Sequence, residues 1–344
     1  MILTGRADDP VAHGGDLAAA RRLFPDAPEP FLDLSTGINP NPYPLPRFSA
    51  GLYARLPNPS AVATLAAAAA RAYGAPSADH VVAAPGTQIL LPIVASLVPA
   101  GRAVILAPGY PEHARAAVWA GHTFTAARSI ENCGDAALII LSNPNNPDGR
   151  LFTRGALGGL AADLRRRHGL LVIDEAFMDA APAGLSFGGD LAIDNVVVLR
   201  SFGKFFGLAG VRLGFALAAP AVAARIRAAL GPWAVSGPAL AVGAKALTDT
   251  AWIARTRKRL EASARRLDAT LTAVNLDIVG GTSLFRLLRT PAAQALFLHL
   301  GRAGIWVRAF PDQAQWLRFG LPANEREWRR LNKAMVSFRG TATA

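Results

Sequence analysis

Short apolar runs that end at Gly, Pro, Asn or Asp recur through the first two-thirds of the chain. They read "HVVAAPG", "RAVILAPG", "AALIILSNP", "GLLVIDEAF", "NVVVLRSFG" and "VRLGFALA". Each run is almost wholly apolar rather than alternating, which is typical of strands buried on both faces, and segments of helical length separate the runs. The pattern predicts an α/β fold in which a mostly parallel sheet forms the middle of three layers.

The hydrophobic pattern changes after about Pro238. One long helical tract is followed by a strand, a helix, two strands and a final helix from about Asn324, which is typical of a separate α+β unit. The first forty residues are rich in Pro and Gly and predict an extended arm. We therefore expect an N-terminal arm (1–40) that packs with the small domain, a large domain (41–237) and a small C-terminal domain (238–344).

Composition and charge are those of a folded globular protein. The chain has 344 residues, of which 51% are hydrophobic and 17% charged, and its formal net charge is +12. The basic residues are spread along the chain, and the short runs "RRRH" and "RTRKR" are typical of solvated helix faces. We expect no nucleic-acid partner, and a milder interpretation of the arginines is that some line a site for an anionic substrate.

The single cysteine, Cys133, excludes an internal disulfide and a cysteine-rich metal site, and it favours a reducing compartment. The longest nearly apolar run, "ILLPIVASLVPA", is far shorter than the roughly 20 residues that span a bilayer. The first residues also lack the basic start and apolar core of a signal peptide. We expect a cytoplasmic protein with no membrane partner and no metal.

Polar residues that could bind a ligand or take part in a reaction follow the apolar runs directly. In open parallel sheets ligands bind beyond the carboxyl ends of the strands, so residues in these positions are expected to form one site. The segments concerned are Gly86-Thr87-Gln88, Tyr110, Asn143 to Gly149, Asp174, and Ser201 to Lys204.

Lys204 is one of only four lysines beside thirty-two arginines, and it stands in a glycine-punctuated turn after an apolar run. A lysine in a partly desolvated pocket loses proton affinity and becomes a nucleophilic amine. Taken alone, a surface lysine in a loop is the commoner explanation. Asp174, at the end of "LLVID", needs a cation if it is desolvated, although a lone Asp there is often only a helix cap.

Two further motifs have both a structural and a functional interpretation. "SNPNNPDG" predicts a rigid turn that would hold the amide of Asn146 in place. "PGTQ" predicts backbone amides and the Thr87 hydroxyl at a helix start, which forms either an anion site or a plain N-cap.

The spacing of these motifs is specific in combination. Lys204 lies three residues after Ser201, eight before Arg212, thirty after Asp174 and fifty-eight after Asn146. With this set of motifs the sequence resembles the fold type I pyridoxal-phosphate enzymes of the aminotransferase class I/II superfamily, over nearly the whole chain.

The resemblance implies a pyridoxal 5'-phosphate cofactor and a role for each matching residue. Lys204 would bind the cofactor aldehyde, Asp174 would pair with the pyridine nitrogen, Asn146 would bond the ring hydroxyl and Tyr110 would stack on the ring. The residues that would hold the cofactor phosphate are Gly86, Thr87, Ser201 and Arg212. On the substrate side, Arg318 in "QWLRFGLP" matches the carboxylate-binding arginine, and the further candidates are Arg308, His13, Asn39 and Asn146.

Two positions depart from the family pattern. Phe177 in "DEAF" stands where the family commonly has a Tyr that bonds the ring oxygen, which leaves Asn146 with that task. Leu56, before Pro57, stands where many relatives have a Tyr that reaches the phosphate of the neighbouring subunit. The resemblance implies a homodimer, and Leu56 puts its cross-subunit contact in question.

The opening segments "HGGDLAAARRLFP" and "FLDLSTGINPNPYP" resemble the cobalamin-pathway threonine-phosphate decarboxylases, which are similar to the histidinol-phosphate aminotransferases. This resemblance implies decarboxylation of L-threonine O-3-phosphate, a phosphorylated amino acid, to (R)-1-amino-2-propanol O-2-phosphate. The alternatives are a histidinol-phosphate aminotransferase of histidine biosynthesis or a related class I/II aminotransferase. From another class, the alternative is a non-catalytic binding or regulatory protein built on this fold.

Overall fold

The computed structural model describes residues 13–131 and 133–342, with side chains up to residue 338. The described residues divide into two compact units. The first comprises 43–146 and 150–253, and the second comprises 13–42, 147–149 and 254–342.

The described helices range in length from one to six turns. In chain order they are α1 (Leu17–Leu23), α2 (Gly51–Ala54), α3 (Pro59–Tyr73), α4 (Thr87–Ala95), α5 (Glu112–Trp119), α6 (Arg154–Arg165), α7 (Phe202–Phe205), α8 (Pro220–Leu230), α9 (Gly237–Thr248), α10 (Thr250–Thr272), α11 (Ala293–Arg302) and α12 (Glu325–Ala342). None of them is both long enough and apolar enough to cross a membrane.

The described strands are short. In chain order they are β1 (Leu32–Asp33), β2 (Val81–Ala84), β3 (Arg102–Leu106), β4 (Thr123–Ala127), β5 (Leu138–Ser142), β6 (Leu170–Asp174), β7 (Val196–Ser201), β8 (Gly214–Ala218), β9 (Asp277–Thr282), β10 (Phe285–Arg289), β11 (Ile305–Trp306), β12 (Arg308–Ala309) and β13 (Trp316–Phe319).

The first unit is built on a seven-stranded sheet in the order β2-β8-β7-β6-β5-β3-β4. The strands from β7 to β4 are parallel, whereas β8 runs antiparallel to both β2 and β7. Each apolar run named above forms one of these strands, and the predicted α/β class with a mostly parallel sheet is confirmed. β4 was not predicted because its side chains are largely exposed at the sheet edge, which removes the apolar signal.

The core explains why the runs lack polar alternation. Strands β5, β6 and β8 are buried at every position, because helices cover the sheet. On one face α4, α5 and α8 pack on alternate strand residues such as Val172 and Leu199. Asp174 and Ser201 continue the same alternation and therefore belong to this face, at the carboxyl ends of β6 and β7.

The second unit contains a four-stranded antiparallel sheet in the order β12-β13-β10-β9, together with a parallel β1–β11 pair. The ring of Phe24, the C-cap residue of α1, packs against Phe297 and Trp306, with centroids 6.0 and 6.3 Å away. Arg330 donates to the carbonyl oxygens of Pro28 and Pro30, each at 2.6 Å. Residues 13–42 thus lie in the same unit as 254–342.

Two details of the predicted organisation differ from the structure. The predicted extended arm holds a helix, α1, which Asp16 caps by accepting from the N–H of Ala19 at 2.8 Å; its residues 1–12 lie outside the described part. The single helical tract expected after Pro238 is two helices, because Asp249 ends α9 and accepts from the N–H of Trp252 at the start of α10.

The division by contacts also places residues 238–253 in the first unit rather than after a boundary at 237. Helix α9 packs closely on α3, and Gly243 allows this approach: a Cβ there would lie 2.9 Å from Cδ1 of Leu65. The functional assignment of the predicted domains stays a prediction.

Candidate active site

Asp174 ends the buried strand β6 and is itself only 7% exposed. A desolvated carboxylate needs hydrogen-bond donors or a cation, and Asp174 has two donors here. His113 Nε2 donates to its Oδ2 at 3.1 Å, and the N–H of Ala176 donates to its Oδ1 at 3.0 Å. The carboxylate is therefore held at the carboxyl edge of the sheet with a defined orientation.

Sequence reasoning missed His113. It lies in the first turn of α5 with 1% exposure, and its ring is edge-on to that of Tyr110, at 5.5 Å and 87°. The available signal was its spacing, three residues after Tyr110 in "PGYPEH", at a helix start beyond an apolar run. That spacing brings both rings to the edge where β6 ends.

Tyr110 is tied to the start of α4 by a hydrogen-bonded chain. Its hydroxyl donates to Oε1 of Gln88 at 3.1 Å, and Nε2 of Gln88 donates to Oε2 of Glu112 at 2.8 Å. Arg115 donates to the other oxygen of Glu112 at 3.1 Å. Gln88 and Glu112 thus fix the position of the Tyr110 ring. Gln88 belongs to a segment expected at the site, whereas Glu112 was not predicted.

The "PGTQ" motif forms a cradle with the residues that follow β7. Gly86 has φ +88°, and a Cβ there would lie 2.6 Å from Nη2 of Arg212. Gly214, paired with Ser201 in the sheet, lets the backbone approach so closely that a Cβ would lie 2.6 Å from the Thr87 nitrogen. The structure therefore brings the predicted phosphate residues together around the first turn of α4.

Lys204 is half-buried and lies in the short helix α7, which follows β7 at once. Gly203 permits the tight return of the chain, because a Cβ there would lie 2.9 Å from Cα of Ala209. The Lys204 Nζ lies 5.7 Å from the centroid of the Phe177 ring, within the range of a cation–π contact. Phe177 therefore faces the lysine amine with a ring but without the hydroxyl of a tyrosine.

Asn146 is carried by a rigid turn, as predicted from "SNPNNPDG". The N–H of Asn143 donates to the carbonyl of Asp174 at 2.9 Å, and its side-chain oxygen accepts from the N–H of Phe152 at 2.9 Å. Asn145 donates to the carbonyl of Pro108 at 2.9 Å. The turn is thus anchored to the strand end that carries Asp174.

The residues of the first unit fit pyridoxal phosphate. Backbone amides at the N-terminus of α4 together with a guanidinium suit a phosphate dianion. A buried carboxylate suits a protonated pyridine nitrogen, and a half-buried lysine suits an aldehyde. Among the described residues there is no group of His, Cys, Asp and Glu that could hold a metal ion.

Of the predicted substrate residues, Asn146 belongs to the first unit, and the other four lie in the second. Arg308 and Arg318 are directly paired on β12 and β13. Arg318 is 7% exposed, its Nη2 donates to the Ser35 carbonyl at 3.0 Å, and its guanidinium lies 5.0 Å from the Phe285 ring centroid. Burial, reinforced by the charge of Arg308, lowers the pKa of Arg318 to about 10.

Two guanidinium groups on paired strands repel one another, and an anion bound between them would relieve that repulsion. Asn39 and His13 are the other two predicted substrate residues of the second unit. Asn39 is buried, and its Oδ1 accepts from the N–H of Asn41 at 3.0 Å, so its side chain stabilises the local turn. His13 is exposed.

Comparisons of this chain with known proteins agree on one family. A family model described as "Aminotransferase class I and II" matches residues 45–331. The chain is 40% identical over 341 residues to a threonine-phosphate decarboxylase of Pseudomonas aeruginosa, with 96% of this chain and 99% of the relative covered. A histidinol-phosphate aminotransferase of Mesorhizobium japonicum is more distant, at 30% identity with 84% and 83% covered.

The structure is similar to that of a histidinol-phosphate aminotransferase of Clostridium acetobutylicum, with a TM-score of 0.77. The two chains are 20% identical, and the match covers 90% of this chain and 99% of the other. At that identity the likeness shows the fold alone. The predicted family resemblance, the fold class and the pyridoxal-phosphate cofactor of the family are confirmed.

The buried position of Asp174 predicts the outcome of Asp174→Asn. The amide keeps the shape but removes the charge that His113 and a protonated pyridine nitrogen would face, so we expect a folded protein with turnover lowered roughly 100-fold or more. Turnover of the purified, cofactor-loaded variant measures this. Asp194→Asn, which alters an exposed carboxylate, is the control and is expected to behave as wild type; equal rates in both variants would contradict the assignment.

The paired arginines predict stabilisation by an anion. With pyridoxal phosphate at saturation to occupy its own site, sulfate at roughly five times its dissociation constant is expected to stabilise the protein by about 1 kcal/mol. Arg308→Met should lose most of this effect, whereas Arg302→Met, at an exposed position of α11, should keep it. Thermal unfolding with and without sulfate measures the difference, and equal shifts in both variants would exclude an anion site at Arg308.

Proposed function

Since the chain belongs to the aminotransferase class I and II family, we propose that it decarboxylates L-threonine O-3-phosphate to (R)-1-amino-2-propanol O-2-phosphate, a step of cobalamin biosynthesis. The observation that carries this choice is the 40% identity to a threonine-phosphate decarboxylase over almost the full length of both chains. The histidinol-phosphate aminotransferase of Mesorhizobium japonicum shares 30% identity over a smaller part of the chain.

The first unit supplies the cofactor residues in this proposal. Bound pyridoxal phosphate draws electrons from the substrate Cα through its protonated ring, which weakens the bond held perpendicular to that ring. Asp174, oriented by His113, stabilises the proton on the ring nitrogen. Asn146 would donate to the ring oxygen, Tyr110 would stack on the ring, and the phosphate would be held by Gly86, Thr87, Ser201 and Arg212.

Lys204 has two tasks in this proposal. Its amine would hold the cofactor by the aldehyde group, and its Nζ would give a proton to Cα of the substrate once carbon dioxide has left. The Phe177 ring lies 5.7 Å from Nζ, within reach of a cation–π contact with the ammonium group that would donate this proton.

The second unit supplies the substrate residues in this proposal. The substrate carries a carboxylate and a phosphate, and the two paired arginines, Arg308 and Arg318, offer two guanidinium groups for them. His13 and Asn39 assist at the same substrate. Binding both anionic groups orients the carboxylate rather than the hydrogen for loss from Cα, so orientation selects decarboxylation over amino transfer.

We further propose a cytoplasmic homodimer, with a cofactor-binding large domain and a smaller domain that packs with the N-terminal arm. Exposed apolar side chains in the first unit support a partner subunit: Tyr53, Leu56, Leu45 and Trp233 are 69%, 68%, 58% and 58% exposed. Leu56 does not provide the hydroxyl of a tyrosine at the position discussed above. Neither nucleic acid nor a membrane is part of the proposal.

A paired product assay tests the proposed reaction. Purified protein loaded with pyridoxal phosphate is given L-threonine O-3-phosphate, and separately histidinol phosphate with 2-oxoglutarate. We expect carbon dioxide release from the first and little glutamate from the second. Rapid amino transfer without carbon dioxide release would overturn the proposal in favour of the aminotransferase, and inactivity in both assays of a protein that binds no cofactor would favour a non-catalytic role.

The tethering role of Lys204 predicts the behaviour of Lys204→Ala. We expect loss of the visible absorption band of lysine-bound cofactor, and a fall in turnover of about 1,000-fold or more, because the variant has neither the covalent link nor the proton donor. Absorption spectra and the carbon dioxide assay measure both. Lys245→Ala, at an exposed position of α9, is the control; a Lys204 variant that keeps band and turnover would show that this lysine is not the tether.

A further inference from the structure

A buried ionic cluster lies directly behind the candidate site and has no role in the mechanism above. Arg200, 3% exposed, donates from Nη1 to Oε2 of Glu175 at 2.8 Å and from Nη2 to Oδ1 of Asp179. Its guanidinium carbon lies 4.3 Å from the centroid of the Tyr73 ring. We call Arg200, Glu175 and Asp179 the Arg200 cluster.

The Arg200 cluster is joined to the site by the alternation of side chains. Asp174 is paired with Leu199 between β6 and β7, so Asp174 and Ser201 share one face of the sheet. Glu175 and Arg200, each one residue away, share the other face. A displacement of either cluster residue therefore moves the backbone that carries Asp174 or Ser201.

The Arg200 cluster also holds both ends of the short loop that follows Asp174. Glu175 accepts from the N–H of Phe187 at 2.7 Å and from the Ser186 hydroxyl at 2.6 Å, and Asp179 stands in the helical turn Met178–Ala180. The loop between these anchors contains Phe177, the residue whose ring faces the Lys204 amine.

Stability alone does not account for three buried charges. Burial raises the pKa of the Glu175 carboxyl, which shows that its ionised form is costly there. Burial opposes the charge of Arg200 as well, yet the carboxylates of Asp179 and Glu175 raise its pKa overall. Well-packed apolar side chains are often as stabilising as a buried ion pair, whereas the ion pair specifies one geometry through directed hydrogen bonds.

We propose that Arg200, Glu175 and Asp179 are positioning residues, which hold Asp174, Ser201 and the Phe177 loop in the alignment that the cofactor requires. The inference rests on the proposed cofactor roles of Asp174 and Lys204. It adds a set of residues that act on the cofactor only through their neighbours.

The test removes all three charges together, so that no buried charge is left without its partner. The variant is Arg200→Met/Glu175→Gln/Asp179→Asn. We expect a melting temperature within about 5 °C of wild type, while the dissociation constant of pyridoxal phosphate rises about tenfold. The pH midpoint of the visible absorption band, which reports the charges around the Lys204 link, should move by about 0.5 unit or more.

The matched control is Arg154→Met/Asp190→Asn, which removes a two-bonded ion pair from the surface of the same unit, with bonds of 2.7 and 2.6 Å. Its cofactor affinity and pH midpoint should equal those of wild type. A folded triple variant with wild-type affinity and midpoint would overturn the proposal and leave the cluster a structural role only.

Arg200→Lys provides a second variant if the triple variant does not fold. A lysine keeps the charge but lacks the planar fork that serves both carboxylates, so we expect a smaller change of the midpoint in the same direction. A folded Arg200→Lys protein with the wild-type midpoint and affinity would also overturn the proposal.

These measurements separate this inference from the proposed reaction. They record cofactor binding and its spectrum, whereas carbon dioxide release records the reaction. A wild-type protein that shows the band but releases no carbon dioxide refutes the reaction and leaves the cluster experiment decisive. A wild-type protein without the band overturns the positioning inference.

Discussion

The site depends on one constraint: a carboxylate at the end of a fully buried strand must meet its partners inside the protein. Asp174 meets them in His113 and in the N–H of Ala176. This requirement places the start of α5 at the carboxyl edge of the sheet, and Tyr110 with it. Through the hydrogen bond from Tyr110 to Gln88, the same arrangement extends to the start of α4.

Under the proposed function, the two units would accommodate anions by two different means. In the first unit the close backbone approach at Gly86 and Gly214 exposes helix amides beside Arg212, a fixed arrangement that needs little rearrangement on binding. In the second unit the charged residues Arg308 and Arg318 are paired on neighbouring strands. Burial lowers the pKa of Arg318 to about 10, which still leaves it charged near neutral pH.

Phe177 stands where the family commonly has a tyrosine, and this difference affects both the proposed reaction and the proposed positioning role of the Arg200 cluster. A tyrosine hydroxyl there would be a second donor for the ring oxygen, whereas the phenylalanine ring contacts the Lys204 amine. Under the proposed function, hydrogen bonding to that oxygen is left to Asn146, and the ring changes the surroundings of the proton donor. The Arg200 cluster holds the loop that determines where this ring lies.

The sequence by itself determined six of the seven strands of the large sheet and the residues at their ends. Burial on both faces leaves continuous apolar runs, and ligand residues in such sheets follow the strands. It did not reveal His113, the break at Asp249 or the Arg200 cluster. The partners of His113 and Arg200 lie sixty-one and twenty-five residues away in the sequence. The local pattern of apolar and polar residues does not indicate such distant pairings. Only the tertiary structure decided them, since the strand order and side-chain alternation bring those partners together.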